Sequence, residues 1–335
     1  MVRPCYYPFP MNTPIKKDSP ATPFSQVSFV TISFDEAGQR VDNYLIRILK
    51  GVPKSMIYRI IRKGEVRVNK KRVKAEYKLV GDDLLRIPPV RVSDKAPPKV
   101  SAGFNQVKKL AQAVLYEDDA LIVLNKPSGL AVHGGSGIDF GVIEALRTLR
   151  PESRYLELVH RIDRGTSGCL LIAKKRSALR ALHKQLREKT ARKHYITLVK
   201  GKWANEVKQI DAPLKRVTLS SGEMVVRVHP EGKNSLTRFK IIEQFSDSCL
   251  LQASPITGRT HQIRVHAASV QQPIAGDDKY GDLDFEKKML SRGLKRLFLH
   301  AHKIAFVHPV TGELVQFEAP LSPDLQKVLN KLKKA

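Results

Sequence analysis

Cysteine is scarce in this chain of 335 residues, and its three positions, Cys5, Cys169 and Cys249, have neither paired nor metal-type spacing. That pattern argues against a disulfide framework or a zinc knuckle, and free thiols fit a cytoplasmic, reducing compartment. No run approaches 18 consecutive apolar residues, so no membrane-spanning helix is expected. The opening segment MVRPCYYPFP carries prolines but no apolar core of the signal-peptide kind, and residues 1–28 are expected to form a disordered leader. No internal repeat is visible. Acidic residues are short as well: 32 Asp and Glu face 59 Lys and Arg, a formal charge of +27. A charge excess speaks of partners rather than of fold. On charge alone a soluble basic protein with solvated side chains would suffice, but the cations cluster, which points to a polyanion.

Hydrophobic residues make up 42% of the chain, enough for one large domain and a small one. In the first part, Val41, Tyr44, Leu45, Ile48 and Leu49 form the stripe of an amphipathic helix, broken by Gly51-Val52-Pro53. A second helix is expected to follow with Ser55 as its N-cap, burying Met56, Ile57, Ile60 and Ile61. Gly64 ends it, and Val66-Arg67-Val68 alternates as a strand into a turn at Asn69-Lys70-Lys71. Residues 38–88 hold 14 basic and 5 acidic side chains. Two short helices before a basic hairpin, the run VPKSMIYRIIRKGEVRVNKKRV, resemble the S4-type RNA-binding domain, placed here at residues 29–90. Arg59, Arg62, Lys63, Lys70, Lys71 and Arg72 are its candidate RNA contacts. They would meet phosphates, which supply affinity and register but little sequence information.

Residues 91–109 contain Pro, Ser and Lys without apolar periodicity and are expected to be a linker. From there to residue 335 strands mix with helices. ALIVLNKP, CLLIAKK, YITLVKG and LFLHAHKIAFVHP read as strands of a buried sheet, SALRALHKQLREKTARK as a basic helix, and THQIRVHAASV as a shorter one. Regular strand–helix alternation is missing, which predicts an α+β fold rather than a doubly wound one.

The strongest local signal is LVHRIDRGTSGCLLIAKK, residues 158–175. Here a polar loop sits between two apolar runs, with Gly165 and Gly168 permitting tight turns. Asp163 lies in it between Arg161 and Arg164. A carboxylate held in a basic field stays ionised and can serve as nucleophile or base. By itself, an Asp between two Arg is more often a structural ion pair.

The stretch is similar to the H-R-L-D-x-x-T-S-G signature of the RluA-type pseudouridine synthases. LNKPSGLAVHGG, RKHYITLVKG and SPITGRTHQIRVHAA agree with the same family in order and spacing, so the likeness covers roughly residues 30–330. Two positions depart from the pattern: Ile162 replaces the usual Leu, and Gly165 stands where many relatives are acidic. The resemblance implies a small S4-type module ahead of a mixed, mostly antiparallel catalytic sheet with flanking helices. It also implies isomerisation of uridines in 23S ribosomal RNA, free or in a large-subunit precursor, by a monomer. Asp163 matches the essential aspartate, Arg161 the arginine that displaces the target base, Tyr195 the tyrosine that stacks on it, and Arg264 the arginine paired with the catalytic carboxylate.

Pseudouridylation exchanges an N1–C1′ bond for a C5–C1′ bond without redox change or group donation, so no cofactor is required. The uridine must first be flipped out, at about a few kcal/mol. Attack at C1′, attack at C6 and a glycal route all remain open. Two rivals fit less well. A non-catalytic ribosome-assembly factor leaves the Asp163 loop unexplained. A nucleoside hydrolase wants two carboxylates where the loop offers one. His261 and His266, and the alternating His300 and His302, are expected to be structural or RNA-facing rather than metal ligands. Gly134 to Gly137 reads as a turn near the site, lacking the Lys-Ser/Thr ending of a nucleotide loop.

Overall fold

The computed structural model describes residues 26–49, 51–90, 104–134, 140–153 and 155–333; most of the expected leader and linker lies outside them. The chain divides into two compact units, residues 1–97 and 98–335.

The smaller unit contains β1 (Ser28–Thr31), α1 (Val41–Ile48), α2 (Lys54–Arg62), β2 (Arg67–Val68), β3 (Lys71–Arg72) and β4 (Leu84–Ile87). Its sheet runs β1-β4-β2-β3, antiparallel throughout. The helical stripes face one core: Val41, Tyr44, Leu45, Leu49, Ile57, Ile60 and Ile61 are buried with Val68, Leu85 and Ile87, while Ile48 and Met56 sit at its edge. Each of the three isoleucines contributes about 2 kcal/mol by leaving water. The N-cap of α2 is Pro53, not Ser55. Proline's fixed φ suits the residue entering the first turn, and Ser55 lies exposed within that turn. Asn69 and Lys70 take positive φ of 48° and 67°, the two-residue hairpin turn that suits twisted strands.

The larger unit begins with α3 (Phe104–Gln112), so the stretch expected as linker ends earlier than residue 109. Val107 and Leu110, three apart, bury into the large core, a spacing too short to stand out against the flanking Lys and Gln. There follow β5 (Val114–Glu117), β6 (Leu121–Lys126), α4 (Val142–Leu149), β7 (Glu157–Leu158), β8 (Ser167–Ala173), α5 (Arg176–Arg187), β9 (Arg192–Lys200), β10 (Gln209–Asp211), β11 (Leu214–Thr218) and β12 (Met224–Val228). The chain continues through β13 (Leu236–Gln244), β14 (Ser248–Pro255), α6 (Gln262–Ser269), α7 (Leu283–Ser291), β15 (Leu299–Val307), β16 (Leu314–Glu318) and α8 (Pro323–Leu332).

One sheet is ordered β10-β13-β14-β9-β15-β8-β6-β5, with β16 added beside β15 and β7 beside β8. Among the described residues only β8 and β15 pair in parallel. The fold is α+β, mixed but mostly antiparallel, with helices on both faces. Alternation along β9 shows the two faces: Tyr195 and Val199 join the core shared with α3, α4 and α5, while Ile196 and Leu198 join the one built with α7 and α8. Every residue of β8 is buried, which is why CLLIA reads as an unbroken apolar run. A bulge in β15 between His300 and Lys303 lets that strand pair with β8 first and β16 afterwards, on the side away from β9.

Candidate active site

Asp163 sits on the loop that enters β8, and that loop is tied down mainly by the segment after β6. The Gly129 amide donates to the Arg164 carbonyl at 2.8 Å. The Arg164 Nε donates back to the Gly129 carbonyl at 2.9 Å. Ser128 Oγ donates to the Gly165 carbonyl at 2.7 Å. Beneath them Lys126, fully buried, donates from Nζ to the carbonyls of Pro127, Leu130 and Arg164 at 2.8, 2.7 and 3.2 Å. Burial draws its pKa down to about 7. Three acceptors nonetheless match the three protons of an ammonium, and the charged form is the one that leaves none of those carbonyls unpaired. The segments LNKPSG and HRIDRGTSG are therefore one device, the first clamping the second. Gly168 has φ +105° and lies so close to β15 that a Cβ would strike the Ala301 carbonyl oxygen. Gly165 is different: a Cβ there would meet Leu297 at an ordinary 3.5 Å, so its backbone does not demand glycine.

The Asp163 side chain, 22% exposed, faces a cavity of about 110 Å³ whose walls include Arg161, Lys193, Tyr195, His261 and Arg264. Tyr195 comes from β9 and is 8% exposed. Burial first, and then the Asp163 charge, push its phenol well above the ordinary range, so it stays protonated. Arg161 is exposed, without an ion pair among the described residues. The four predicted site residues thus come together.

Arg264 has a closer partner than Asp163. It lies on α6, almost wholly buried, and forks onto Asp277 with Nε–Oδ2 and Nη2–Oδ1 distances of 2.7 and 2.6 Å, adding Asp278 at 3.1 Å. Its Nη1 reaches Asp163 at only 3.9 Å, a charge contact rather than a hydrogen bond. The guanidinium also lies over the Tyr280 ring, 5.1 Å from its centre. The loop before α6 is locked by Gln262, which accepts from Thr257 Oγ1 and the Arg259 amide at 2.7 and 3.0 Å. Its amide nitrogen donates to Leu236 O and Thr237 Oγ1 at 3.0 and 2.9 Å.

A family profile described as RNA pseudouridylate synthase matches residues 120–269, and an S4 domain profile matches residues 39–85. The chain is 61% identical over 307 residues to the ribosomal large subunit pseudouridine synthase C of Pasteurella multocida, covering 92% of this chain and 94% of that one. It is 59% identical over 311 residues to the protein of the same name in Escherichia coli K12, covering 92% and 98%. The chain belongs to the RNA pseudouridylate synthase family. Among solved structures it is similar to human RNA pseudouridylate synthase domain containing 4, with a TM-score of 0.57 and 25% identity over 69% of this chain and 97% of that one.

Several groups in this synthase have no signal in the sequence. Asp277, Gln262 and Lys126 are polar residues whose burial has no local signature, and the half-buried Lys193 has none either. The histidines are engaged with the protein. His266 bonds Thr237 Oγ1 and the Ala212 carbonyl at 2.9 and 3.1 Å. His300 receives the Ser167 hydroxyl proton on Nδ1 at 2.8 Å and donates from Nε2 to the Ala319 carbonyl at 3.0 Å. The Ser167 oxygen in turn accepts from Arg296 Nη2 at 2.6 Å. Among the described residues no group of three His, Cys, Asp or Glu is placed to hold a metal. Of the expected glycine turn, residues 135–137 lie outside the described residues. Arg59, Arg62, Lys63, Lys70, Lys71 and Arg72 are all exposed. Arg72 bridges hairpin and helix by donating to the Lys63 carbonyl at 3.1 Å.

Proposed function

We propose that this synthase isomerises specific uridines to pseudouridine in the 23S ribosomal RNA of the large subunit, with Asp163 as the group that acts on the nucleoside. The observation that carries the reading is the union of Asp163, Tyr195, Arg161 and Arg264 around one small cavity. The names of the relatives, at about three-fifths identity over nearly the whole chain, support the choice of RNA. In this reading the uridine is flipped out of its stack and Arg161, at the cavity mouth and free to move, fills the gap. Tyr195 offers its neutral ring as the face on which the uracil rests. Asp163 meets the sugar or base with a carboxylate held still by the 126–130 clamp, so little reorganisation is needed at the moment of reaction. Arg264 sets the charge and position of that carboxylate from a fixed seat on Asp277. The basic face of the S4 unit adds affinity for the RNA backbone.

Asp163→Asn is expected to abolish pseudouridine formation while leaving RNA affinity within about threefold, because only an acceptor-only carboxylate has been removed. Pseudouridine mapping in 23S RNA from cells with and without the gene, alongside the purified variant, tests both halves. A variant that converts uridine at the wild-type rate would overturn the assignment of Asp163, and an unchanged map would overturn the choice of RNA.

A further inference from the structure

Lys193 is a cation of the cavity wall to which the proposed reaction gives no task. It precedes Tyr195 by two residues on β9, so both side chains leave the same face of the strand, and both line the cavity that holds Asp163. The other polar groups deep in that wall have partners. Arg264 forks onto Asp277 and turns its Nη1 to Asp163 at 3.9 Å, and His261 shares a 2.8 Å hydrogen bond with the Tyr280 hydroxyl. Lys193 has no carboxylate within ion-pair distance and no hydrogen-bond acceptor among the described residues, and its Nζ lies beside Gly258, which has no side chain to offer one. Burial lowers its pKa with no carboxylate offsetting the effect. A half-buried ammonium without a partner is costly unless a ligand supplies the acceptor.

We propose that Lys193 is a catalytic residue that donates a hydrogen bond to the O4 carbonyl oxygen of the uracil resting on Tyr195. This rests on the proposed uridine isomerisation and deepens it. In the routes where Asp163 acts on the sugar, C1′ faces Asp163, and N1, to which it is attached, lies on that side of the ring. Across the six-membered ring from N1 is C4, so the edge turned away from Asp163 carries O4. Lys193 lies in the same wall as Asp163 without pairing with it, as a group meeting that far edge should. The chemistry gives the contact its value. When N1–C1′ breaks, its electron pair passes to the uracil ring and spreads over N1, O2, C5 and O4. The ring then attacks C1′ through C5, the C5 proton is lost, and N1 ends protonated, so uracil keeps its composition. An ammonium at O4 meets charge that grows only as the bond breaks, the condition under which a hydrogen bond accelerates a reaction rather than merely binding the substrate.

The test uses the full chain and a large-subunit ribosomal RNA fragment containing a uridine that the wild type converts. That conversion is the control for the proposed function: its absence would count against the RNA or the activity, separately from the role of Lys193. Lys193→Met keeps the length of the side chain and removes its donor. At saturating enzyme its single-turnover rate is expected to fall about 100-fold, the typical loss for one such donor, with RNA affinity within about threefold. Lys193→Arg is expected to recover part of the rate. 4-Thiouridine at the target position, with its weaker acceptor, should slow the wild type and add little to Lys193→Met, whereas 2-thiouridine should affect both proteins alike. A wild-type rate for Lys193→Met, or independent and multiplicative effects of the variant and the 4-thio substitution, would overturn the proposal. The thio-substituted RNAs applied to the wild type alone keep it falsifiable if the variant fails to fold: indifference to 4-thio substitution is sufficient to reject it.

Discussion

The two units of this synthase use positive charge in opposite ways. In the smaller one Arg59, Arg62, Lys63, Lys70, Lys71 and Arg72 are exposed, and none forms an ion pair among the described residues. In the larger one Arg264 keeps a side chain only 7% exposed and is held by Asp277 within hydrogen-bond distance. Lys126, also buried, is caged by three carbonyls. Water solvates the first set; if, as proposed, RNA displaces its counterions, its contribution to binding falls with salt. The second set lost its water when the protein folded. Its field is fixed before any RNA arrives, and salt screens it little. Charge count alone treats the two sets as equals; burial and pairing separate a solvated set from one fixed by the fold.

The sharpest way to break that comparison is at Arg264. Arg264→Lys keeps the charge but loses the planar fork onto Asp277, so Asp163 loses a fixed neighbour. We expect the single-turnover rate to fall by about two orders of magnitude with RNA affinity nearly unchanged, a loss comparable to removing one preorganised donor. An equal loss in rate and affinity would make Arg264 a phosphate contact like those of the smaller unit. Asp277→Asn attacks the same pair from the other side. By leaving a buried guanidinium undercompensated, it is expected to cost about 3 kcal/mol in a urea melt.

Histidine sharpens the contrast through pH. All ten histidines lie at or beyond residue 133, so the smaller unit has none. Burial lowers the pKa of His300 to about 4 and that of His160 to about 3. In the unfolded chain each titrates near 6.5. Below that value the unfolded state takes up protons that the folded state refuses. The stability these groups provide is therefore present above about pH 6.5 and lost as pH falls towards 4, with His160 continuing to about 3. For His300 the loss is roughly 3 kcal/mol. Urea melts of the full chain at stepped pH should show the decline, and His300→Gln should remove a large part of its slope. A flat profile between pH 6.5 and 4 would show that these rings are not held neutral.

The sequence made legible whatever depends on near neighbours. The stripe of α1, the apolar run of β8, the Asn69-Lys70 turn and the loop around Asp163 are each written within a dozen residues. What was not legible depended on chain far away or on small margins. The resemblance pairs Arg264 with Asp163, which it reaches at 3.9 Å, but Asp277 and Asp278, 13 and 14 positions on, look in sequence like solvated surface charges; only folding brings them to the guanidinium and buries Asp277. Lys126 reads as an ordinary lysine until the Arg164 carbonyl, 38 residues later, is brought to it. The N-cap at Pro53 rather than Ser55 is a shift of about half a turn, the margin within which helix ends are poorly specified by local chemistry. Gly165 misleads in the other direction, since a glycine in a signature loop suggests a backbone demand that its ordinary surroundings do not make.

The mildest test concerns the exposed set alone. Arg59 and Arg62 lie in the last turn of α2 and Lys63 caps it, and all three are exposed. Replacing the three together with glutamine keeps good helix formers at the helical positions and touches no buried group, so stability is expected to change by about 0.5 kcal/mol or less per site. Each phosphate contact contributes roughly 0.7 to 0.9 to the log-log slope of affinity against salt. If all three meet phosphates, the slope should flatten by about two to three units. The single-turnover rate at saturating enzyme should stay at the wild-type value, because the three belong to the smaller unit and every residue of the cavity wall around Asp163 belongs to the larger one. Arg264→Lys should do the reverse, lowering the rate and leaving the slope alone. Binding curves at four or five salt concentrations, taken beside single-turnover rates for both proteins, place each change on one axis or the other. An unchanged slope in the triple variant would remove the α2 face from the RNA interface and leave affinity to the hairpin cations Lys70, Lys71 and Arg72 or to the larger unit. A fall in rate without a fall in affinity would mean that the smaller unit shapes the reaction as well as the docking, and the division between the two kinds of charge would no longer hold.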